Sequence, residues 1–341
     1  MISSSADEDA HKFGRRALRL PWVVTQEANP AEFNRNVIRG KVLDRTLSSL
    51  GTEARRKEYL SKAHENVQRW QSERQEYGHP ESAAICKIEV VEEDSLEAAQ
   101  TGSKQYGEVF AVMNMANPVL LGGNYREGSA AQEENLYRRT DCHFSMAYQA
   151  SGCVTDGGIT RLGRTPRICI CGPENRADTE NLGYEQLSDD EIFLFYELRS
   201  AAPDCRFFKF EWNDPTSNTP QYFEGSREDF TREVLAPLWE KNIELDVAAA
   251  FVRTEPCDRD ELKRRIIAQF NSLGESNIEH AVLGAFGCGA FANPPETVAA
   301  VYREVISERM EAGTFQFKCL KFAIIFSKPN LDAFKDAMRT F

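Results

Sequence analysis

EVFAVMNMANPVLLGGNYREGSAAQEENLYRRTD, from Glu108 to Asp141, is the stretch on which the fold turns. Its first ten residues are apolar and β-rich. A loop with adjacent glycines follows, and then a polar segment of helical composition opens on Gln132, Glu133 and Glu134. Strand, loop and helix in that order form the repeating unit of α/β proteins. A near-continuous apolar strand belongs in a sheet covered on both faces, and ligands of such sheets bind beyond the carboxyl ends of the strands.

The same texture extends outward. AAICKIEVV (83–91), IELDVAAAFV (243–252), EHAVLGAFGCGAF (279–291) and LKFAIIFS (320–327) predict further strands, the second of them buried. ITRLGRTPRICICG (159–172) predicts one or two more, SDDEIFLFYELRSAAPDCRFFKFEW (188–212) fits either state, and the stretch to about Ser226 reads as loop-rich. Helices are expected over Ser129–Gln149, over Cys257–Glu275 with a cap at Asp258 or Asp260 and a stop near Gly274, over Pro294–Met310 with prolines in its first turn, and over Leu331–Phe341. Residues 15–80 carry apolar positions at three- and four-residue spacing among many charges, and Gly78 and Pro80 end that zone. The expected organisation is a polar tail with accessory helices over 1–80 and an α/β domain over 81–341.

The chain has 341 residues and a net charge of −12, from 53 acidic and 41 basic side chains. An acidic protein lacks the basic surface that DNA or RNA requires, although an anionic small ligand needs only a few local donors. Nine cysteines without CxxC or HxxxH spacing argue against structural zinc and fit a reducing, intracellular setting. No apolar run approaches the ~20 residues of a membrane span. A soluble protein with no membrane partner, no metal and no cofactor is expected.

Three strand exits carry unusual chemistry: Glu92–Ser95, Asn114–Gly123 and Gly284–Asn293. GAFGCGAFANPP is neither a dinucleotide fingerprint nor a Walker loop. It can expose backbone N–H groups to an anion, or it can be a plain βα turn. Gly122 and Gly123 let backbone approach a ligand closely, and Asn114 and Asn117 can bind ribose hydroxyls or cap the loop. Adjacent carboxylates project about 100° apart on a helix, so Glu133 and Glu134 suit different tasks. Crowding and burial would raise one of them toward a usable acid; alternatively, acidic residues simply favour a helix's first turn. Glu134, Arg138 and Asp141 are spaced for one helical face, with the carboxylates ~10 Å apart at ~1.5 Å per residue. That spacing suits one acid at a scissile bond and one on a cationic leaving group, or a solvated salt-bridge ladder.

NMANP, then GG, then AQEE, then LGAFGCGAFANPP resembles, in order, the macrodomain-fold poly(ADP-ribose) glycohydrolases of the microbial type, and VEEDSLEAA resembles that family's segment beneath the adenine. The resemblance spans roughly residues 82–340 with a weak middle. It implies a three-layer α/β/α macrodomain with a mixed central sheet and an N-terminal helical extension, acting as a metal-independent hydrolase. It also implies roles. Glu134 would be the catalytic acid and base, and Glu133 and Asn117 would hold the distal ribose. Gly287, Cys288, Gly289 and Ala290 would contact the diphosphate, Phe291 the distal ribose, Asp94 the adenine amine and Phe326 the adenine face. Two departures matter: Asn124 stands where the family has a third glycine, and the run from about Asp178 to Gly225 differs. YRRTD is closer to pathogen-effector (MavL-like) macrodomains that remove ADP-ribose from arginine, including arginine on ubiquitin, where an aspartate matching Asp141 matters. The expected partner is therefore an ADP-ribosylated protein, with ADP-ribose as product. Poly(ADP-ribose) cleavage and a non-catalytic ADP-ribose reader are the rival readings.

Overall fold

A computed structural model describes residues 30–76, 86–118, 120–145, 153–155, 159–214, 217–235, 237–238, 241 and 247–341. The polar start, any helix over 15–29, the Gly78–Pro80 boundary and residues 146–150 lie outside them. In chain order the elements are α1 (Pro30–Leu50), α2 (Glu53–Glu76), β1 (Lys87–Val91), α3 (Ser95–Tyr106), β2 (Phe110–Met115), α4 (Gln132–Arg139) and α5 (Cys142–Ser145). Then come β3 (Cys153–Thr155), β4 (Thr160–Leu162), β5 (Arg167–Cys169), β6 (Phe193–Ser200), β7 (Arg206–Asn213), β8 (Pro220–Gly225) and α6 (Arg227–Phe230). The chain closes with β9 (Val247–Thr254), α7 (Arg259–Glu275), β10 (His280–Leu283), α8 (Pro295–Glu311), β11 (Cys319–Ala323) and α9 (Lys328–Met338).

The main sheet runs β1-β11-β10-β2-β6-β4-β3, with β5 also on β6. β1, β11, β10, β2 and β6 are mutually parallel; β3, β4 and β5 are antiparallel additions. Successive residues of a strand face opposite sides, so β2 divides itself between two cores. Ala111 and Met113 pack with Leu262, Ile266, Phe270, Val298, Tyr302 and Phe334 of α7, α8 and α9. Phe110 and Val112 pack with Leu96, Leu136, Leu43 and Trp70 of α3, α4, α1 and α2. These are the three layers, the mixed sheet and the N-terminal helices expected from the sequence.

The N-terminal helices are part of one helical layer. Arg39, Val42, Leu43, Thr46 and Leu50 form the buried stripe of α1, at the spacing of a single helix face. Arg39 is buried with its guanidinium 2.8 Å from Glu174 and 2.6 Å from Glu32, and it also donates to the Gly128 carbonyl at 3.3 Å. Thr46 Oγ1 donates to the Arg138 carbonyl on α4 at 2.6 Å. Gly128 has φ +78°, and a Cβ there would meet the Asn36 carbonyl at 2.2 Å. The loop ahead of α4 is thus closed down against α1.

Three expectations are corrected. The helix over Ser129–Gln149 stops at Arg139: Thr140 is extended, its Oγ1 bonds back to Leu136 O, and its backbone bridges Cys169. The Glu134–Arg138–Asp141 face therefore does not form, and Arg138 is buried rather than on a solvated ladder. The stretch expected to be loop-rich up to Ser226 is instead largely strand, with β8 paired to β7 as a hairpin. β9 was expected buried, but it is an edge of this second sheet, ordered β8-β7-β9, and Phe251 and Val252 are exposed. Phe208, Phe210, Phe230, Leu235 and Val247 form that sheet's own core, with Phe210 and Phe230 stacked at 4.0 Å and Leu120 packed alongside.

Candidate active site

Because β1, β11, β10, β2 and β6 run parallel, their carboxyl ends share one edge, and the three chemically unusual exits lie along it. The loop after β2 and the first turn of α4 are stitched together by the three consecutive side chains singled out in the sequence. Gln132 accepts from Met115 N–H at 2.9 Å and donates to Met113 O at 2.8 Å and Ser95 Oγ at 3.2 Å, which fixes the start of α4 against β2 and α3. Glu133 accepts Asn117 N–H at 2.7 Å on one oxygen and Gly122 N–H at 3.0 Å on the other. Glu134 Oε1 accepts Asn124 N–H at 3.0 Å, and the carboxyl also takes its own backbone N–H.

The glycines are required where they are. Gly122 and Gly123 have φ +82° and +56°. A Cβ on Gly123 would sit 2.4 Å from Glu134 Oε1 and 3.3 Å from Glu133 Oε2. The loop backbone is therefore packed directly onto both carboxyl groups.

Burial dominates the electrostatics. It pushes the Glu133 carboxyl up to about 8 from its ordinary 4.5; Arg199, 3.8 Å away, and the two N–H donors oppose the rise, and the neighbouring Glu134 charge adds to it. Burial also raises Glu134, against the Asn124 N–H and Arg138. Two like charges this close titrate as a pair, so near neutral pH the pair holds a proton. Arg199, which also donates to the Asn117 carbonyl, was not foreseen. Its signal was a lone arginine inside the apolar run FLFYELRS, next to β2 in register with Asn114.

The second loop follows β10. Gly287 has φ +73°, and a Cβ there would meet Asn293 Nδ2 at 2.4 Å and Ala202 Cβ at 2.5 Å. Asn293, buried, donates to Pro203 O at 2.7 Å and Gly287 O at 3.2 Å, tying the loop to the exit of β6. Gly289 and Ala290 are exposed, Cys288 and Phe291 half-buried, and a Cβ on Gly289 would meet nothing within 4 Å. This loop crest is open to a ligand. Phe326, after β11, is 53% exposed, with Arg176 stacked over its ring at 4.1 Å.

Other predicted residues face inward. Asn114 is fully buried on β2 and donates to Glu197 at 2.7 Å. Asn117 lies at the exit itself, its Oδ1 accepting Leu120 N–H at 2.9 Å. Asp94 caps α3 through Leu96 N–H at 2.9 Å and Glu97 N–H at 3.3 Å, and it takes Arg139 at 2.6 Å and Asn135 at 3.3 Å. Asp141 is buried beyond the end of α4: it accepts Ile168 N–H at 2.9 Å and lies 3.7 Å from Arg167. Burial raises its carboxyl, and Arg167 opposes that. Among the described residues no group of three or more His, Cys, Asp or Glu side chains is placed to hold a metal ion, and no helix is long and apolar enough to cross a membrane.

The chain is similar to solved poly(ADP-ribose) glycohydrolases. That of Deinococcus radiodurans in complex with ADP-ribose shares 17% identity over 84% of this chain and 93% of its own, with a TM-score of 0.49. That of Thermomonospora curvata shares 19% over 89% and 99%, with a TM-score of 0.49. The same enzyme bound to the inhibitor ADP-HPD shares 19% over 90% and 99%, at 0.48. No curated protein matches. A family model described as "Microbial-type PARG, catalytic domain" matches residues 44–151. The segment that holds Gln132, Glu133 and Glu134 against the glycine pair thus matches the catalytic domain of microbial-type PARG.

Proposed function

We propose that the protein is an ADP-ribosyl glycohydrolase of the PARG type, cleaving the glycosidic bond at C1 of the distal ribose. The observation that carries this reading is the buried Glu133–Glu134 pair, in which Glu133 is held at both oxygens and Glu134 takes the Asn124 N–H. Glu133 and the Asn117 exit position the ribose. Glu134 uses its carboxyl to protonate the departing atom and then to take a proton from the attacking water, a general acid–base role. The exposed crest at Gly289–Ala290 supplies backbone N–H groups for the diphosphate, and Phe326 offers a ring for the adenine. A reader module needs no second buried carboxylate at such cost, which weighs against that rival.

Poly(ADP-ribose) is the substrate favoured by the family match over 44–151. Removal of mono-ADP-ribose from arginine, on ubiquitin or another protein, is the second reading. Asn124 in place of the third glycine supports it, whereas Asp141, already partnered by Ile168 and Arg167, lends it nothing. Incubating the protein with the polymer and with arginine-, serine- and glutamate-linked mono-ADP-ribosyl substrates, and weighing the products, separates the readings. Release of ADP-ribose from the polymer is expected; ADP-ribose binding with no release from any substrate would overturn the hydrolase reading.

A pH dependence follows. Activity needs the proton on the pair, so the rate falls as pH rises through about 8. Arg199 pulls the Glu133 carboxyl down, so Arg199→Met moves this alkaline limb to higher pH. The linkage sign is the reverse of that for an ion-paired carboxylate: the folded value lies above the unfolded one, so stability is greatest with the proton bound and declines as pH rises from 4.5 to about 8. Rate–pH profiles of the two proteins check this; an alkaline limb that does not move on substitution refutes the assignment.

A further inference from the structure

Behind the glycine-rich loop lies a cluster of thiols with no part in the proposed hydrolysis. Cys205 precedes β7 and is buried; Cys257 lies just before the Asp258 cap of α7 and is half-buried. Their sulfurs converge on one atom: Asn293 Oδ1 accepts from Cys205 Sγ at 3.3 Å and from Cys257 Sγ at 3.4 Å. The thiols are also within hydrogen-bond reach of each other. The backbones are already joined, since Glu255 N–H donates to Cys205 O at 2.7 Å and Cys205 N–H to Phe291 O at 3.0 Å. Burial pushes the thiols of Cys169 and Cys288 up to about 12, whereas Cys257 is lowered when Cys205 turns its single S–H from Asn293 to the Cys257 sulfur. A thiolate is the reactive form, so the accessible member of the pair is also the nucleophilic one.

We propose that Cys205 and Cys257 are a modification site for peroxides, closing into a disulfide that deprives Asn293 of its two donors and loosens the Gly284–Asn293 loop. The Cys257 thiolate attacks one peroxide oxygen; an S–O bond forms, the O–O bond breaks, and hydroxide leaves as water after taking a proton. Cys205 then attacks the sulfenic sulfur; the S–S bond forms, the S–O bond breaks, and a second water leaves. Two thiols and one hydrogen peroxide give one disulfide and two waters. Asn293 Oδ1 is then a buried acceptor without its thiol donors, while its amide still has to hold Gly287 and Pro203. If the loop seats the diphosphate, a consequence that rests on the function proposed above, oxidation weakens ADP-ribose binding by about tenfold.

The test treats the full chain with hydrogen peroxide and maps its peptides by mass spectrometry. The expected product lacks two hydrogens, links the Cys205 and Cys257 peptides, reverts with dithiothreitol and does not form in Cys257→Ser, whose hydroxyl still donates to Asn293. Amide exchange across 284–293 quickens in the oxidised protein. Free thiols after treatment, Cys257 carried on to sulfonic acid without a bridge, a bridge from Cys257 to Cys288, or unchanged amide exchange would each overturn the proposal. Failure of the reduced protein to bind ADP-ribose would instead count against the function, because the bridge and the exchange are read without ligand.

Discussion

Glu134→Gln leaves the protein folded and its ADP-ribose affinity unchanged while lowering turnover by about 10²–10⁴-fold, the range of a general acid–base group. The amide oxygen keeps the Asn124 N–H that Oε1 now accepts, and the side chain fills the same volume. What is lost is the carboxyl proton. The Glu134 charge is also one of the causes that raise Glu133, so its removal lets the Glu133 carboxyl fall. Calorimetric titration with ADP-ribose and a product assay on the same preparation check both halves. Wild-type turnover in the variant would remove Glu134 from the mechanism.

Gly123→Ala is expected to be nearly as damaging without touching a reactive group. At φ +56° an alanine costs about 1–2 kcal/mol, and its methyl would lie 2.4 Å from Glu134 Oε1. Either the loop or the carboxyl must move, and a displacement near 1 Å at reacting groups costs about 10²-fold in rate. Gly289→Ala is the contrast: its Cβ meets nothing, so stability is unchanged, and any loss of ADP-ribose affinity reports on the crest itself. Melting curves and turnover for both variants test the pair. A fully active Gly123→Ala would show that the contact does not persist during catalysis.

Local signals were legible where chemistry at one position decides structure. Of the two caps read for α7, Asp258 and Asp260, it is Asp258 that caps the helix, and Pro295 opens α8. Runs such as AVM and AVL gave β2 and β10 because the two faces of each strand meet different helices. Position in the fold was less legible. VAAAFV looks buried by composition, yet it edges the second sheet with its phenylalanine exposed. Alternation in RFFKFEWN and PQYFEG was the available clue to the hairpin, with Phe208 and Phe210 inward and Lys209 and Glu211 outward. At the site, the glycine pair and the glutamates could be read because their spacing is local. Arg199, Asn293 and the Asp94–Arg139 bridge could not, since each depends on segments brought together over 40 to 90 positions of chain.

The α1 clamp on the loop ahead of α4 sets the size of the working unit. Arg39 holds the Gly128 carbonyl, Thr46 holds the carbonyl of Arg138, and Gly128 has room for nothing but hydrogen against Asn36. A shortened chain starting at the first strand would keep every reactive side chain and lose the wall behind them. Grafting the glycine pair and its glutamates onto another scaffold fails for the same reason unless the antecedent helix travels with them.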